Sequence, residues 1–319
     1  DYTGEQNSNN RAFSCTLRDL PGGQQPPWDY RGCIRVQSPK HAPGRSWPGR
    51  SWPGRSWPGR NPPGGCNSSG DLSVNLWRFL LPSALGFTMK NTGHAIVDKI
   101  RGAPARTIQA ATYASLHARP GDPEDILRTL DRFAMEKRWL MSVGPEKGPL
   151  IRELAGRLPT EARVLELGAY CGYSSILIAR ALGPDSTVVS VEVNADAVSS
   201  ASANVKLAGL SGQITFLHGP STDVISQLDG TFDLIFLDHW KDLYKTDLQL
   251  IERRGLIRPG SIVVADNVGK IFNPDDYLDY VRTSGQYRSE NRAGTIEYTS
   301  LPDAVEISEY APQTDTTSH

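Results

Sequence analysis

From Arg163 onward, short apolar runs alternate with stretches whose apolar residues recur every three or four positions. The runs at 163–167 (RVLEL), 187–192 (TVVSVE), 213–218 (QITFLH), 232–237 (FDLIFL) and 261–265 (SIVVA) are continuous. Continuity of that kind marks parallel strands buried on both faces. Helical spacing fills the gaps, as at 196–208 and 242–254, and Gly255 and Gly260 punctuate the approach to the fifth run. A helix near 275–282 and two further strands, near 287–298 and 304–309, close the pattern. The expected fold is α/β: a doubly wound, mostly parallel seven-stranded sheet with a strand pair at its end.

Upstream, Asp122-Pro123-Glu124-Asp125 opens a helix with a capping side chain, a first-turn proline and acids favoured by the dipole. Ile126, Leu127, Leu130, Phe133 and Ala134 then give it one buried face. A second helix is expected over 146–158. Between them lies WLMSVG, residues 139–144, where Trp139 and Met141 suit either the core or the roof of a ligand site.

Residues 1–105 break the pattern. They are rich in Pro, Gly, Ser, Asn and Arg, with Trp47, Trp52 and Trp57 in a five-residue PGRSW repeat. So little periodic apolar surface does not offset ordering entropy, so this part reads as a disordered basic tail before a domain at 106–319. Leu72 to Phe87 is its most apolar stretch, shorter than the roughly 20 residues a membrane span needs and interrupted by Asn75, Arg78 and Pro82. No integral membrane segment is expected.

Charge sharpens the division. The tail carries 13 Lys/Arg against 6 Asp/Glu, and the remainder 21 against 29. An acidic body argues against nucleic acid as a partner, which needs a basic face. Cys15, Cys33, Cys66 and Cys171 show no C-x-x-C spacing, so neither zinc nor a disulfide framework is indicated. A reducing, cytoplasmic setting fits, and Cys171 reads as buried filler.

The first run leads into LELGAYCGYS, residues 165–174, a strand, glycine turn and helix start. Gly168 and Gly172 allow close approach of backbone and ligand. Their G-x-x-x-G spacing, with Glu166 inside the strand end, departs from the G-x-G-x-x-G that cradles a pyrophosphate. It suits a ligand with a ribose and a charged amino-acid tail but no phosphate, namely S-adenosylmethionine. A plain tight turn with no ligand is the alternative. Glu192 ends the second run twenty positions after Gly172, where an acid accepts ribose hydroxyls or serves the following turn at Asn194.

Asp238 ends the fourth run, and Asp266-Asn267 ends the fifth. Consecutive parallel strands lie about 4.8 Å apart, so both carboxylates should emerge together at the carboxyl edge. Two acids and an amide oxygen make an all-oxygen site for a hard cation such as Mg²⁺; helix capping is the alternative. Lys241 follows Asp238 by three positions. A cation and partial burial would favour its neutral amine, a usable base; an ordinary exposed lysine is the alternative. Trp240 suits stacking on adenine or core packing, and His239 a ligand contact or a cap.

LELGAYCGYS, FLDHWK (236–241) and ADN (265–267), with WLMSVG before them and IEY (296–298) after, resemble catechol O-methyltransferase over roughly residues 108–312. The resemblance implies a class I, Rossmann-like methyltransferase that uses S-adenosylmethionine and Mg²⁺. It assigns Asp238, Asp266 and Asn267 to the metal, Lys241 as general base, and Glu297 to the second catechol hydroxyl. It places Glu192 on ribose, with Met141, Val143, Glu166, Gly168, Tyr170, Ser174, Ser221, His239 and Trp240 around the rest of the cofactor, and Trp139 as a wall for the ring. A monomer is expected, acting on a small catechol-type molecule. Three positions depart from the family pattern: Val268-Gly269-Lys270-Ile271 replaces a run carrying a gating proline, Leu243 stands for an arginine, and Thr222 for a glutamine. These leave room for another vicinal diphenol, of caffeoyl ester or flavonoid type. A catalytically silent binding protein and an NAD-dependent oxidoreductase are the readings from other classes.

Overall fold

The computed structural model describes residues 104–312. The expected tail, its PGRSW repeat and the stretch 72–87 lie outside the described residues, apart from 104–105.

Among the described residues, three helices precede the first strand: α1 (Arg106–His117), α2 (Pro123–Glu136) and α3 (Gly144–Ala155). Asp122 caps α2 by accepting from the amide of Asp125 at 3.0 Å, and Pro123 takes the first helical position. Helix α3 starts two residues earlier than expected and ends three earlier, at Ala155.

The sheet then unfolds in chain order. Strands β1 (Arg163–Leu167), β2 (Thr187–Glu192), β3 (Ile214–His218), β4 (Phe232–Leu237) and β5 (Ile257–Ala265) are separated by α4 (Tyr173–Ala181), α5 (Ala195–Leu207), a short α6 (Ser221–Ile225) and α7 (Tyr244–Arg253). Helix α8 (Asp275–Thr283) leads to β6 (Tyr287–Thr295) and β7 (Pro302–Tyr310). The strand order is β3-β2-β1-β4-β5-β7-β6, with β1 to β5 mutually parallel and β7 antiparallel to both neighbours. This is the expected seven-stranded sheet with a strand pair at its edge.

Two boundaries differ. Strand β5 begins at Ile257, because the turn-like Arg258-Pro259-Gly260 is absorbed by a register shift against Phe232 and Leu234. Residues 241–243 form a single 3₁₀ turn, so α7 begins at Tyr244.

Side chains alternate between two cores. Val164, Leu234, Phe236 and Val264 pack beneath α1 to α5, whereas Leu165, Leu167, Ile235, Leu237 and Val263 pack beneath α6 to α8. Burial on both faces explains why these strands read as continuous apolar runs. Among the described residues, no helix is long and apolar enough to cross a membrane.

The strand order reverses between β1 and β4, and in open α/β sheets ligands bind outside the carboxyl ends at such a switch point.

Candidate active site

A cavity of about 830 Å³ opens at that switch point. One half of it starts at the glycine turn. Gly168 has φ +106°, and a Cβ there would lie 2.4 Å from the carbonyl oxygen of Asp238, so only glycine lets the β1 turn press against the end of β4. Tyr170, itself at φ +47°, donates its backbone amide to Glu192 Oε2 at 2.9 Å. The other Glu192 oxygen accepts from the Asn194 amide at 2.9 Å. The carboxylate is thereby fixed at the end of β2, on the cavity wall. Asn194 supplies the α5 cap itself.

Further along the same wall, Ser221 opens α6 and His239 follows β4. His239 Nε2 bonds Asp247 Oδ2 at 3.0 Å, and Thr222 Oγ1 donates to Asp247 Oδ1 at 2.8 Å. Burial holds the imidazole below its usual pKa, against the pull of Asp247. With Nε2 directed at Asp247, Nδ1 is a buried acceptor with no partner. Met141 and Trp240 also line this half, 56% and 71% exposed, and the indole is braced by a 3.0 Å bond to Asp242. Tyr170 and Ser174 line the cavity floor, and burial pushes the Tyr170 phenol up.

Val143 and Glu166 are not on the wall. Val143 belongs to the core at the start of α3. Glu166 is wholly buried within β1, its Oε2 accepting from Ser175 and Ser190, and burial pushes its carboxyl up. Cys171 is fully buried, with its thiol pushed up to about 12 by burial, as befits a filler.

The other half carries the charges. Asp238 donates its amide to Leu167 O, and Asp266 donates its amide to Leu237 O, both at 2.9 Å, so the two acids leave adjacent strands at matching heights. Asp238 Oδ1 accepts from Lys241 Nζ at 3.1 Å. Asp266 is fully buried: Oδ1 takes the Asn267 amide at 2.7 Å and an ammonium at 2.6 Å, whereas Oδ2 has no partner. Burial raises both carboxyls; Lys241 opposes the rise at Asp238, and Lys147 opposes it at Asp266. Asn267 adopts φ +53°, a left-handed turn that asparagine tolerates. Its Nδ2 donates to Glu297 Oε1 and Asp303 Oδ2 at 3.0 and 2.9 Å, which leaves Oδ1 for a ligand.

Glu297 comes from the loop between β6 and β7. Trp139 Nε1 donates to its carbonyl at 2.8 Å, and Tyr298 is tied to Asp131 and Ser142 at 2.8 and 3.1 Å. The structure thus gathers Asp238, Lys241, Asn267 and Glu297 on one wall, with Asp266 directly behind Asn267.

Four participants were not anticipated. Lys147 of α3, 2% exposed, is the ammonium on Asp266, and it also bonds Glu297 Oε1 at 2.8 Å and Asp303 Oδ2 at 2.9 Å. The available signal was a charged residue in register with the buried Ile151 and Leu154. Asp303 heads β7, and Asp247 was hidden in the helical spacing of α7. Phe272, 39% exposed, lines the cavity with Leu243.

Four carboxyl groups (Asp238, Asp266, Glu297, Asp303) face two lysines (Lys147, Lys241), so acidic side chains outnumber basic ones by two. That imbalance and the unpartnered Asp266 Oδ2 fit one divalent hard cation held by Asp238, Asp266 and Asn267.

The O-methyltransferase family profile matches residues 118–285, which span the glycine turn, both strand-end acids and Lys241. The chain therefore belongs to the O-methyltransferase family, as an S-adenosylmethionine-dependent enzyme of the catechol O-methyltransferase-like kind. It is 36% identical over 257 residues to catechol O-methyltransferase B of Danio rerio, covering 76% of this chain and 96% of that one. To the catechol O-methyltransferase of Mus musculus it is 40% identical, covering 62% and 76%. The fold is shared with the O-methyltransferase of Bacillus cereus, crystallised with SAH, at a TM-score of 0.51 and 19% identity over 59% of this chain and 90% of that one.

Proposed function

We propose that the enzyme methylates one hydroxyl of a catechol-type acceptor and uses Mg²⁺ to do so. The observation that carries this reading is the buried, unpartnered Asp266 Oδ2 beside Asp238 and Asn267, in a cluster where four acids meet two lysines. When bound, the cofactor supplies a methyl carbon on a sulfonium, and the metal supplies positive charge that favours an ionised acceptor oxygen.

The chain's own residues do the rest. Lys241 Nζ, a short reach from Asp238, accepts the hydroxyl proton as a neutral amine. Glu297 has Oε1 committed to Lys147 and Asn267, so its Oε2 accepts from the neighbouring hydroxyl. Trp139, fixed through the Glu297 carbonyl, flanks the ring. On the cofactor side, Glu192 takes the ribose hydroxyls, and Trp240, Met141 and the His239 Nδ1 acceptor form the adenine panel. An oxygen–carbon bond forms, a sulfur–carbon bond breaks, and the proton moves to Lys241. No covalent enzyme intermediate is needed, and positioning supplies much of the rate.

Phe272 and Leu243 favour a second reading within the same chemistry: a larger or more apolar vicinal diphenol. A methylation screen over simple catechols, caffeoyl esters and flavonoids, with Mg²⁺ and then with chelator, tests both. Methylation of vicinal diphenols that stops on chelation is expected. Full turnover in chelator would overturn the metal, and methylation of lone phenols only would overturn the acceptor class.

A further inference from the structure

Asp266, Glu297 and Asp303 each offer an oxygen within 4.8 Å of the others, an arrangement that could itself hold a metal ion. An ammonium occupies it instead. Lys147 Nζ touches all three carboxylates at 2.6 to 2.9 Å, fully enclosed. Its stem passes under Gly294, where a Cβ would come within 3.2 Å of Lys147 Cγ, so the approach is shaped for this side chain. Asp303 is held in turn: Oδ1 accepts from the Gly269 amide at 3.0 Å, and Oδ2 also takes Asn267 Nδ2.

We propose that Lys147 is a positioning residue, a built-in cation that fills one half of a two-cation acidic cluster. It confines the exchangeable metal to the Asp238–Asp266–Asn267 half and turns one oxygen of Glu297 toward the acceptor. This rests on the metal reading above. Each contact has a consequence at the working face. Because Lys147 binds Asp266 through Oδ1, Oδ2 is the atom left for the ion. Because Lys147 and Asn267 both bind Glu297 through Oε1, Oε2 is left for the substrate. The Asn267 amide is oriented by the two acids that Lys147 holds, so its Oδ1 is aimed as well. One buried ammonium thereby orients three groups at once. Removing a single partner from such a cluster leaves charges uncompensated and is strongly unfavourable.

The test uses the full chain as wild type, Lys147→Ala and Lys147→Met. Mn²⁺ stoichiometry is read by electron paramagnetic resonance, melting temperature with and without Mn²⁺, S-adenosylmethionine Kd by calorimetry, and acceptor KM and kcat separately. Wild type should bind one Mn²⁺. Lys147→Ala, which opens room, should bind two, and Mn²⁺ should restore at least half of the melting temperature lost in chelator. Lys147→Met, which keeps the volume without the charge, should raise acceptor KM at least ten-fold, with kcat changed less than three-fold and the cofactor Kd unchanged. Should wild type bind no Mn²⁺, the metal reading falls and this proposal with it. Should wild type bind one and both variants match it in stoichiometry and KM, this proposal alone falls. Lys147→Ala that stays unfolded in Mn²⁺ would also overturn it.

Discussion

The two halves of the cavity are built in opposite ways. The half proposed for the cofactor is anchored on neighbours in sequence, the 168–174 turn and Glu192 a strand later, with backbone amides as the donors to Glu192, and Met141, Ser221, His239 and Trp240 join it from further away. It carries one acid at its centre and open apolar panels at its rim. The acceptor half is assembled across the chain, with Lys147 bonded to residues 150 and 156 positions away and Trp139 to one 158 away. It concentrates four acids and two lysines, most of them buried. The chemistry that distinguishes this enzyme needs charges that no local stretch can carry without repulsion, so the fold brings the counter-charge of Asp266, Glu297 and Asp303 from a distant helix, whereas that of Asp238 is Lys241, three positions on.

If the halves are separable, Lys241→Met should have the largest effect, lowering kcat by about 10²- to 10⁴-fold while calorimetry finds the S-adenosylmethionine Kd unchanged. A parallel loss of cofactor binding would break the comparison. Gly168→Ala strikes where the halves touch, since its Cβ would lie 2.4 Å from the Asp238 carbonyl at φ +106°. It should cost about 2–4 kcal/mol of stability in denaturant titration and impair both cofactor and acceptor binding. An effect confined to one ligand would show that the turn and the β4 end are independent. Trp240→Ala should weaken cofactor binding about ten-fold, on the order of one aromatic contact, and leave Mn²⁺ binding alone.

The smallest expected effect is a pH dependence confined to the charged half. Burial raises Asp238 to about 8 in the folded chain, with Lys241 opposing and Asp266 adding to the rise. An unfolded aspartate titrates near 3.9, so between those values the folded state holds a proton that the unfolded state lacks. The associated stability is therefore lost as pH rises through the folded value. In chelator, melting temperature should fall between pH 6.5 and 8.5, above the range where neutral His239 would act in the opposite sense. A change of 1 kcal/mol is worth about 2–4 °C at this size. Mg²⁺ should flatten the slope; a rise with pH in chelator would contradict the electrostatics.

The same division explains what could be read from sequence. Strand identities, the edge pair and the glycine turn were legible because each is a local pattern, an apolar run or a spacing. That Asp238 and Asp266-Asn267 end adjacent strands was legible because strand ends have a known destination in a doubly wound sheet. Lys147 and Asp303 were not: each lies far from its partners along the chain, and a lysine on a helix is ordinarily solvated. The start of β5 was missed because Arg258-Pro259-Gly260 has turn chemistry, which pairing with β4 overrides. The short α6 has too few residues to show a period. Phe272 escaped notice because its exposure is meaningful only once the cavity beside it is known.

The central claim is that one cation belongs between Asp238, Asp266 and Asn267 while Lys147 keeps the neighbouring cluster closed. A crystal of the full chain soaked in Mn²⁺ tests it through anomalous scattering. The account predicts a single peak within coordination distance of an oxygen of Asp238, Oδ2 of Asp266 and Oδ1 of Asn267, with Lys147 undisturbed. A peak among Asp266, Glu297 and Asp303 with Lys147 displaced, or none at the strand ends, would contradict it.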